Sequence, residues 1–144
     1  MRVSAKTEYA SIAMLELAAR YGTGEPVRIR SIAERHSVPS RFLVQILLQL
    51  KGAGLVVSTR GAAGGYQLSK PPEEISLAEV MTVIDGPPEN SGTLSAIPAA
   101  TPAARVLAAA WREITEMEQQ MLGSLTFAEL IERARQQNEP MYYI

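Results

Sequence analysis

From Lys6 to Tyr21 the chain repeats Ala, Leu, Ile and Met at helical spacing and stops at Gly22-Thr23-Gly24, which predicts a helix followed by a turn. Ser31-Ile32-Ala33-Glu34 has the form of a capping box, so a short helix is expected from there to about His36. Val38-Pro39-Ser40 breaks the pattern. A third helix should then run from Arg41 to about Gly52, with Leu43, Ile46, Leu47 and Leu50 on one buried stripe. Leu55-Val56-Val57-Ser58 and Tyr66-Gln67-Leu68-Ser69 read as two strands on either side of the Gly-rich turn Arg60-Gly61-Ala62-Ala63-Gly64-Gly65.

Further on, a second capping box, Ser76-Leu77-Ala78-Glu79, opens a helix to about Asp85 that Gly86-Pro87-Pro88 stops. Residues 86–100 are rich in Gly, Pro, Ser, Thr and Ala and read as a loop. Thr101-Pro102 is a capping Thr followed by Pro at the first helical position. In the long helix it starts, Ala103, Leu107, Ala110, Ile114, Met117 and Met121 form a heptad-like seam between polar faces. A third box, Thr126-Phe127-Ala128-Glu129, opens a last helix to about Gln137, and the chain ends in the apolar tail Met141-Tyr142-Tyr143-Ile144.

These elements predict a mainly α fold with a small two-stranded β wing. Residues 1–85 make a winged helix-turn-helix, and residues 101–144 hold a long dimerisation helix, a short C-terminal helix and the tail. Hydrophobic residues make up 47% of the chain, enough for a real core. No apolar run is long enough to span a bilayer and the first residues lack a signal-peptide core, so a cytoplasmic protein is expected. Absence of cysteine excludes disulfides, thiolate metal sites and a thiol redox switch.

The net charge of −1 conceals a division. Residues 1–70 hold ten Lys and Arg against four Asp and Glu, and residues 71–144 hold four against eleven. A reader of polyanions needs local positive charge, which the first half has. With the Leu and Ile stripe turned inward, Arg41, Gln45 and Gln49 line the opposite face of the third helix. Arg can pair with both acceptors of guanine, and Gln with the acceptor and donor of adenine. Ser40 and Arg41 stand at that helix's N-terminus, where backbone N–H groups attract phosphate. Glycines 61, 64 and 65 would let the wing backbone lie close to a neighbouring surface, with Arg60 reaching a minor groove or phosphates. Arg2, Lys6 and Arg28 could add positioning contacts. Taken singly, the helix could be an ordinary amphipathic one and the hairpin an ordinary turn; both together, in this order, favour DNA.

The same stretches resemble the Rrf2 family of bacterial winged-helix regulators. They are Lys6-Thr7-Glu8-Tyr9-Ala10, Ser31-Ile32-Ala33-Glu34-Arg35, Phe42-Leu43-Val44-Gln45, Leu50-Lys51-Gly52-Ala53-Gly54-Leu55-Val56, Arg60 to Tyr66, and Glu74-Ile75-Ser76. The resemblance covers most of residues 1–90 and implies a homodimer on a partly palindromic operator, paired through the long helices. Cluster-binding members carry three cysteines in the loop before the dimerisation helix. This chain has Glu89 and Asn90 there and no cysteine, so no iron–sulfur cluster, and no other cofactor or metal, is expected. His36, the sole imidazole, is assigned a surface or capping role. Ala62-Ala63 replaces the Pro-Gly common in such wings, and Val44 stands where the iron–sulfur regulator has an acidic residue, so that protein's operator does not transfer.

The tail is similar to the Met-Phe-Tyr-Ile ending of the family's cysteine-metabolism repressor branch. That resemblance implies a repressor of cysteine and sulfur metabolism whose Tyr142-Tyr143-Ile144 end is held by cysteine synthase. The tail could instead fold onto the dimer helices, and the regulator could answer to a small metabolite unrelated to cysteine. A protein-interaction module without DNA activity is the remaining alternative. An enzyme is not expected: no nucleophile–base pair is present, and the Gly-rich stretch lies between strands, not before a helix. Trp111, beside the seam, reads as packing against a neighbouring helix.

Overall fold

The computed structural model describes residues 1–62, 64–88 and 100–138. Helix α1 spans Ala5–Ala19 and is started by Ser4, whose Oγ accepts from the Thr7 N–H at 3.0 Å. Ala10 and Ala13 are fully buried on it, and such small side chains let other elements approach its backbone closely. It touches helices on several sides and the wing, and the core is assembled around it.

Helix α2 runs Ile29–His36, and here the expected capping box fails. The N-cap is Arg28, with no side-chain cap, and Ser31 lies within the helix. Tertiary pairing explains the earlier start. Val27 exchanges two backbone hydrogen bonds with Tyr66, 2.9 and 2.8 Å, so the chain is held extended up to Val27 and turns helical directly afterwards. Ile29 and Ile32 then pack on the core.

The turn to helix α3, Ser40–Gly52, is tight. Ser37 takes a left-handed conformation (φ 54°, ψ 43°), and buried Val38 donates its N–H to Ala33. Leu43, Ile46, Leu47 and Leu50 are the buried residues of α3, as their spacing predicts. Strands β1, Val56–Thr59, and β2, Gly65–Leu68, pair antiparallel from Val56↔Leu68 to Thr59↔Gly65. A 3₁₀ turn, Pro72–Glu74, precedes helix α4, Leu77–Asp85.

Helix α5, Pro102–Ser124, has 23 residues, about 35 Å at the usual rise. Helix α6, Phe127–Asn138, follows almost at once. The caps expected for these last three helices are present: Ser76 accepts from Glu79 at 3.2 Å, Thr101 from Ala104 at 3.1 Å and Thr126 from Glu129 at 3.2 Å. Ser76 and Thr126 also face each other in an isolated antiparallel bridge, so the starts of α4 and α6 are tied together.

That tie carries the start of α6 to the winged helix-turn-helix. The Phe127 N–H donates to the Ile75 carbonyl at 2.9 Å, the Leu77 N–H donates to Leu125, and the Phe127 side chain is 0% exposed in the core that α1 and α3 share. Leu130 and Ile131 also pack against this core, so α6 lies on α1 as well as following α5 in the chain. The loop residues 89–99, Ala63 and the tail, with Tyr142, Tyr143 and Ile144, lie outside the described residues.

Candidate nucleic-acid interface

Helix α2 is braced from behind. Glu16 of α1 accepts from Arg35 at 3.0 Å and lies 2.8 Å from His36 Nε2, which gives the only His of the chain a structural partner. With the stripe of α3 buried, Ser40, Arg41, Gln45 and Gln49 are all exposed on its outer side. The Arg41 guanidinium sits over the Phe42 ring, 5.1 Å from its centroid, and Phe42 in turn meets Tyr9 of α1. Stacking of this kind limits the conformations Arg41 explores.

Helices α2 and α3 differ from the others at their starts. Ser4, Ser76, Thr101 and Thr126 each offer a side-chain acceptor to an N–H of the first turn of α1, α4, α5 and α6. Arg28 and Pro39, which precede α2 and α3, offer none. The Ser31 and Phe42 N–H groups donate to the Arg28 and Pro39 carbonyls, which leaves those of Ile29, Arg30, Ser40 and Arg41 without an acceptor among the described residues, and phosphate is one that helix N-termini favour.

Positive charge is sorted by the fold. Of the ten Lys and Arg in residues 1–70, Arg20 pairs with Glu25, Arg35 with Glu16 and Lys70 with Glu79. Arg2, Lys6, Arg28, Arg30, Arg41, Lys51 and Arg60 have no carboxylate partner among the described residues. All five cations named from the sequence fall in the unpaired group. Arg30 and Lys51 belong there too and were missed; Lys51 donates to Ser58 Oγ at 2.7 Å and joins the end of α3 to β1. A signal for part of this face was available in the sequence, because no Asp or Glu occurs between Glu34 and Glu73, the stretch that holds Arg41, Lys51 and Arg60. Nothing on α3 or the wing therefore repels phosphate.

Arg28 and Arg60 line one open depression between the start of α2 and the wing, together with Gly61. Arg2 is elsewhere, in a depression lined by Met81, Asp85, Gln119 and Leu122 between α4 and α5. The glycines separate in role. Gly61 is exposed with φ +107°, a turn conformation at the wing tip. Gly64 is buried, and a Cβ there would lie 2.2 Å from the Thr59 carbonyl oxygen. A Cβ on Gly65 would lie 2.5 Å from the Val27 carbonyl oxygen. The neighbouring surface that Gly64 and Gly65 approach is thus this chain's own backbone. In that way they shape the wing.

Along α5, Ala104 and Leu122 are buried and α4 is the helix it packs on. The opposite side is apolar and open. Ala103, Leu107, Ala110, Ile114, Met117 and Met121 are exposed, Ile114 by 49% and Met117 by 69%. Trp111, 45% exposed, joins them, so the helix it was expected to pack against is not supplied by the described residues of this chain. None of the described helices is long and apolar enough to cross a membrane.

Comparison with known proteins agrees with this architecture. The model of a family described as Rrf2, iron-dependent transcriptional regulator, matches residues 3–133. The HTH-type transcriptional regulator CymR of Bacillus subtilis (strain 168) is 33% identical over 145 aligned positions, spanning 100% of both chains. The solved structure of CymR (YrzC), described as the global cysteine regulator of B. subtilis, superposes with a TM-score of 0.80 at 32% identity, covering 92% of this chain and 98% of that one. T. potens IscR gives a TM-score of 0.76 at 32% identity, over 96% of this chain and 91% of that one. The iron in the family's description does not fit the residues here. With no cysteine in the chain there is no thiolate to hold a cluster, and His36 is engaged with Glu16.

Proposed function

This chain belongs to the Rrf2 family of DNA-binding transcriptional regulators, has the winged helix-turn-helix fold and is not an enzyme; from that premise we propose that it is a cluster-free repressor acting as a homodimer on a partly palindromic operator. The observation that carries the DNA reading is threefold: α3 and the wing hold unpaired cations and no Asp or Glu, Arg28 and Arg60 line one depression, and α2 and α3 start without side-chain caps. In this reading α3 enters the major groove by its N-terminal end. Arg41 pairs with guanine, Gln45 and Gln49 read adenine, and the Ser40 and Arg41 N–H groups hold a phosphate. Arg28, Arg60 and Gly61 follow the adjoining backbone or minor groove, and Lys6 and Arg2 add sequence-independent contacts. Two α5 seams pair, which places two copies of α3 about one helical turn of DNA apart.

The test is a gel shift with duplexes selected from a randomised pool, repeated over a range of salt. Affinity should fall steeply as salt rises, since each neutralised phosphate releases counterions. Arg60→Ala should weaken all duplexes and flatten the salt dependence by about one unit of slope per protomer. Gln45→Ala should relax the preference at one base position per half-site and leave the slope as it was. If no duplex binds at low salt, the chain is a protein-interaction module and the DNA reading falls. If Gln45→Ala leaves the base preference intact, α3 is oriented otherwise.

The input we propose is cysteine synthase, holding the C-terminal Tyr142-Tyr143-Ile144 in a pocket with N–H donors for the carboxylate. What supports this is the tail's similarity to the cysteine-metabolism repressors and the likeness of the whole chain to a protein described as a global cysteine regulator. Intact chain should capture cysteine synthase in a pull-down, and deletion of Ile144 should abolish capture. Equal capture by both would leave a metabolite effector unrelated to cysteine as the better reading.

A further inference from the structure

We propose that Val44 and Leu48 read thymine methyl groups in the operator and so determine specificity together with Gln45, an inference that rests on the DNA reading above. The core of α3 is already complete with Leu43, Ile46, Leu47 and Leu50, all 0% exposed. Val44 and Leu48 lie outside it, 42% and 55% exposed. At i and i+4 they form one short apolar line on the helix surface, next to exposed Arg41, Gln45 and Gln49. A β-branched residue in the middle of a solvent-facing helix surface is a poorer helix former than Gln, Lys or Glu, and Val44 is not part of the core that would call for it.

The occupant is selected by the surroundings. An apolar line interleaved with amide and guanidinium donors, on a helix without any carboxylate, suits a surface that is anionic with isolated methyl groups. A major groove containing A·T pairs is such a surface, because thymine alone among the four bases carries a C5 methyl there. Adenine read by Gln45 places its paired thymine, or that of the next pair, beside Val44. The expectation is an A·T-containing half-site in which the thymine methyl contributes, and not only the hydrogen-bonding edge. Burying one methyl-sized group is worth ~0.8 kcal/mol, about 4-fold in affinity.

Selected duplexes would be resynthesised with deoxyuridine in place of thymidine, one position at a time, and their dissociation constants measured at fixed salt. Uracil keeps every hydrogen-bonding group and lacks only the methyl. Wild-type protein should bind about 4-fold more weakly at one or two positions per half-site. That loss should shrink toward none in Val44→Ala or Leu48→Ala and return in Val44→Ile, which keeps the branched apolar surface. Thermal unfolding of each variant should match wild type, since both positions lie outside the core. Tight binding that is indifferent to uracil everywhere, or a uracil loss unchanged in both alanine variants, overturns this inference and leaves the DNA reading standing. Absence of binding to any duplex overturns both.

Discussion

Ile114→Glu should leave the chain folded, convert it to a monomer and weaken operator binding by about 100-fold or more. Ile114 is 49% exposed at the middle of the α5 seam, and nothing in the described chain covers it. A carboxylate there is harmless while it faces water. In a two-fold pair of seams it would be buried opposite its own copy, where desolvation and like-charge repulsion act together. A monomer engages one half-site and forfeits the effective concentration of the second, which ordinarily contributes ~10²–10⁴ in affinity. Sedimentation velocity and a gel shift on the full operator check both halves of the expectation. A sedimentation coefficient equal to that of wild type would remove α5 as the pairing surface.

Phe127→Ala should lower stability by ~3–5 kcal/mol, the range for truncating a fully buried aromatic residue. Phe127 opens α6, is completely buried, and donates its backbone N–H to Ile75, so it holds the returning helix against the winged helix-turn-helix. Domains of this size commonly have only ~5–15 kcal/mol in total, so the variant should be close to unfolding in mild denaturant. Phe127→Leu keeps most of the apolar area and should lose markedly less. Val106→Ala, at a position 69% exposed on α5, should stay within ~0.5 kcal/mol of wild type. Urea unfolding followed by far-UV circular dichroism distinguishes these. If Phe127→Ala were as mild as Val106→Ala, residues 125–138 would not share the core.

Ile114 and Phe127 show two kinds of legibility. The seam was readable because an α-helix repeats its faces every three to four residues, and six positions over five turns leave little ambiguity. Phe127 was placed in the right helix, but its burial in the core was not legible, since a capping box announces that a helix starts and not what it packs on. The acid-free run from Glu34 to Glu73 was in plain sight and marks Arg41, Lys51 and Arg60, whereas Arg30 lies before Glu34 and carried no such signal. Val44 and Leu48 could be placed on the outer side of α3 only once its buried stripe was known to be complete.

What the amino-acid order determined by itself was everything carried by neighbours a turn or less apart. That includes the succession of helices and wing, the caps at Ser76, Thr101 and Thr126, the buried stripe of α3 and the open seam of α5. Tertiary structure decided the rest, because those outcomes depend on residues distant in the chain. Tyr66 sets where α2 begins by pairing with Val27, and Glu16 removes Arg35 from the cations available to DNA. Thr59 and Val27 require the glycines at 64 and 65, and Ile75 ties the start of α6 to the core. Short-range patterns specify local backbone conformation; which charges stay free and which faces stay open are properties of the assembled core.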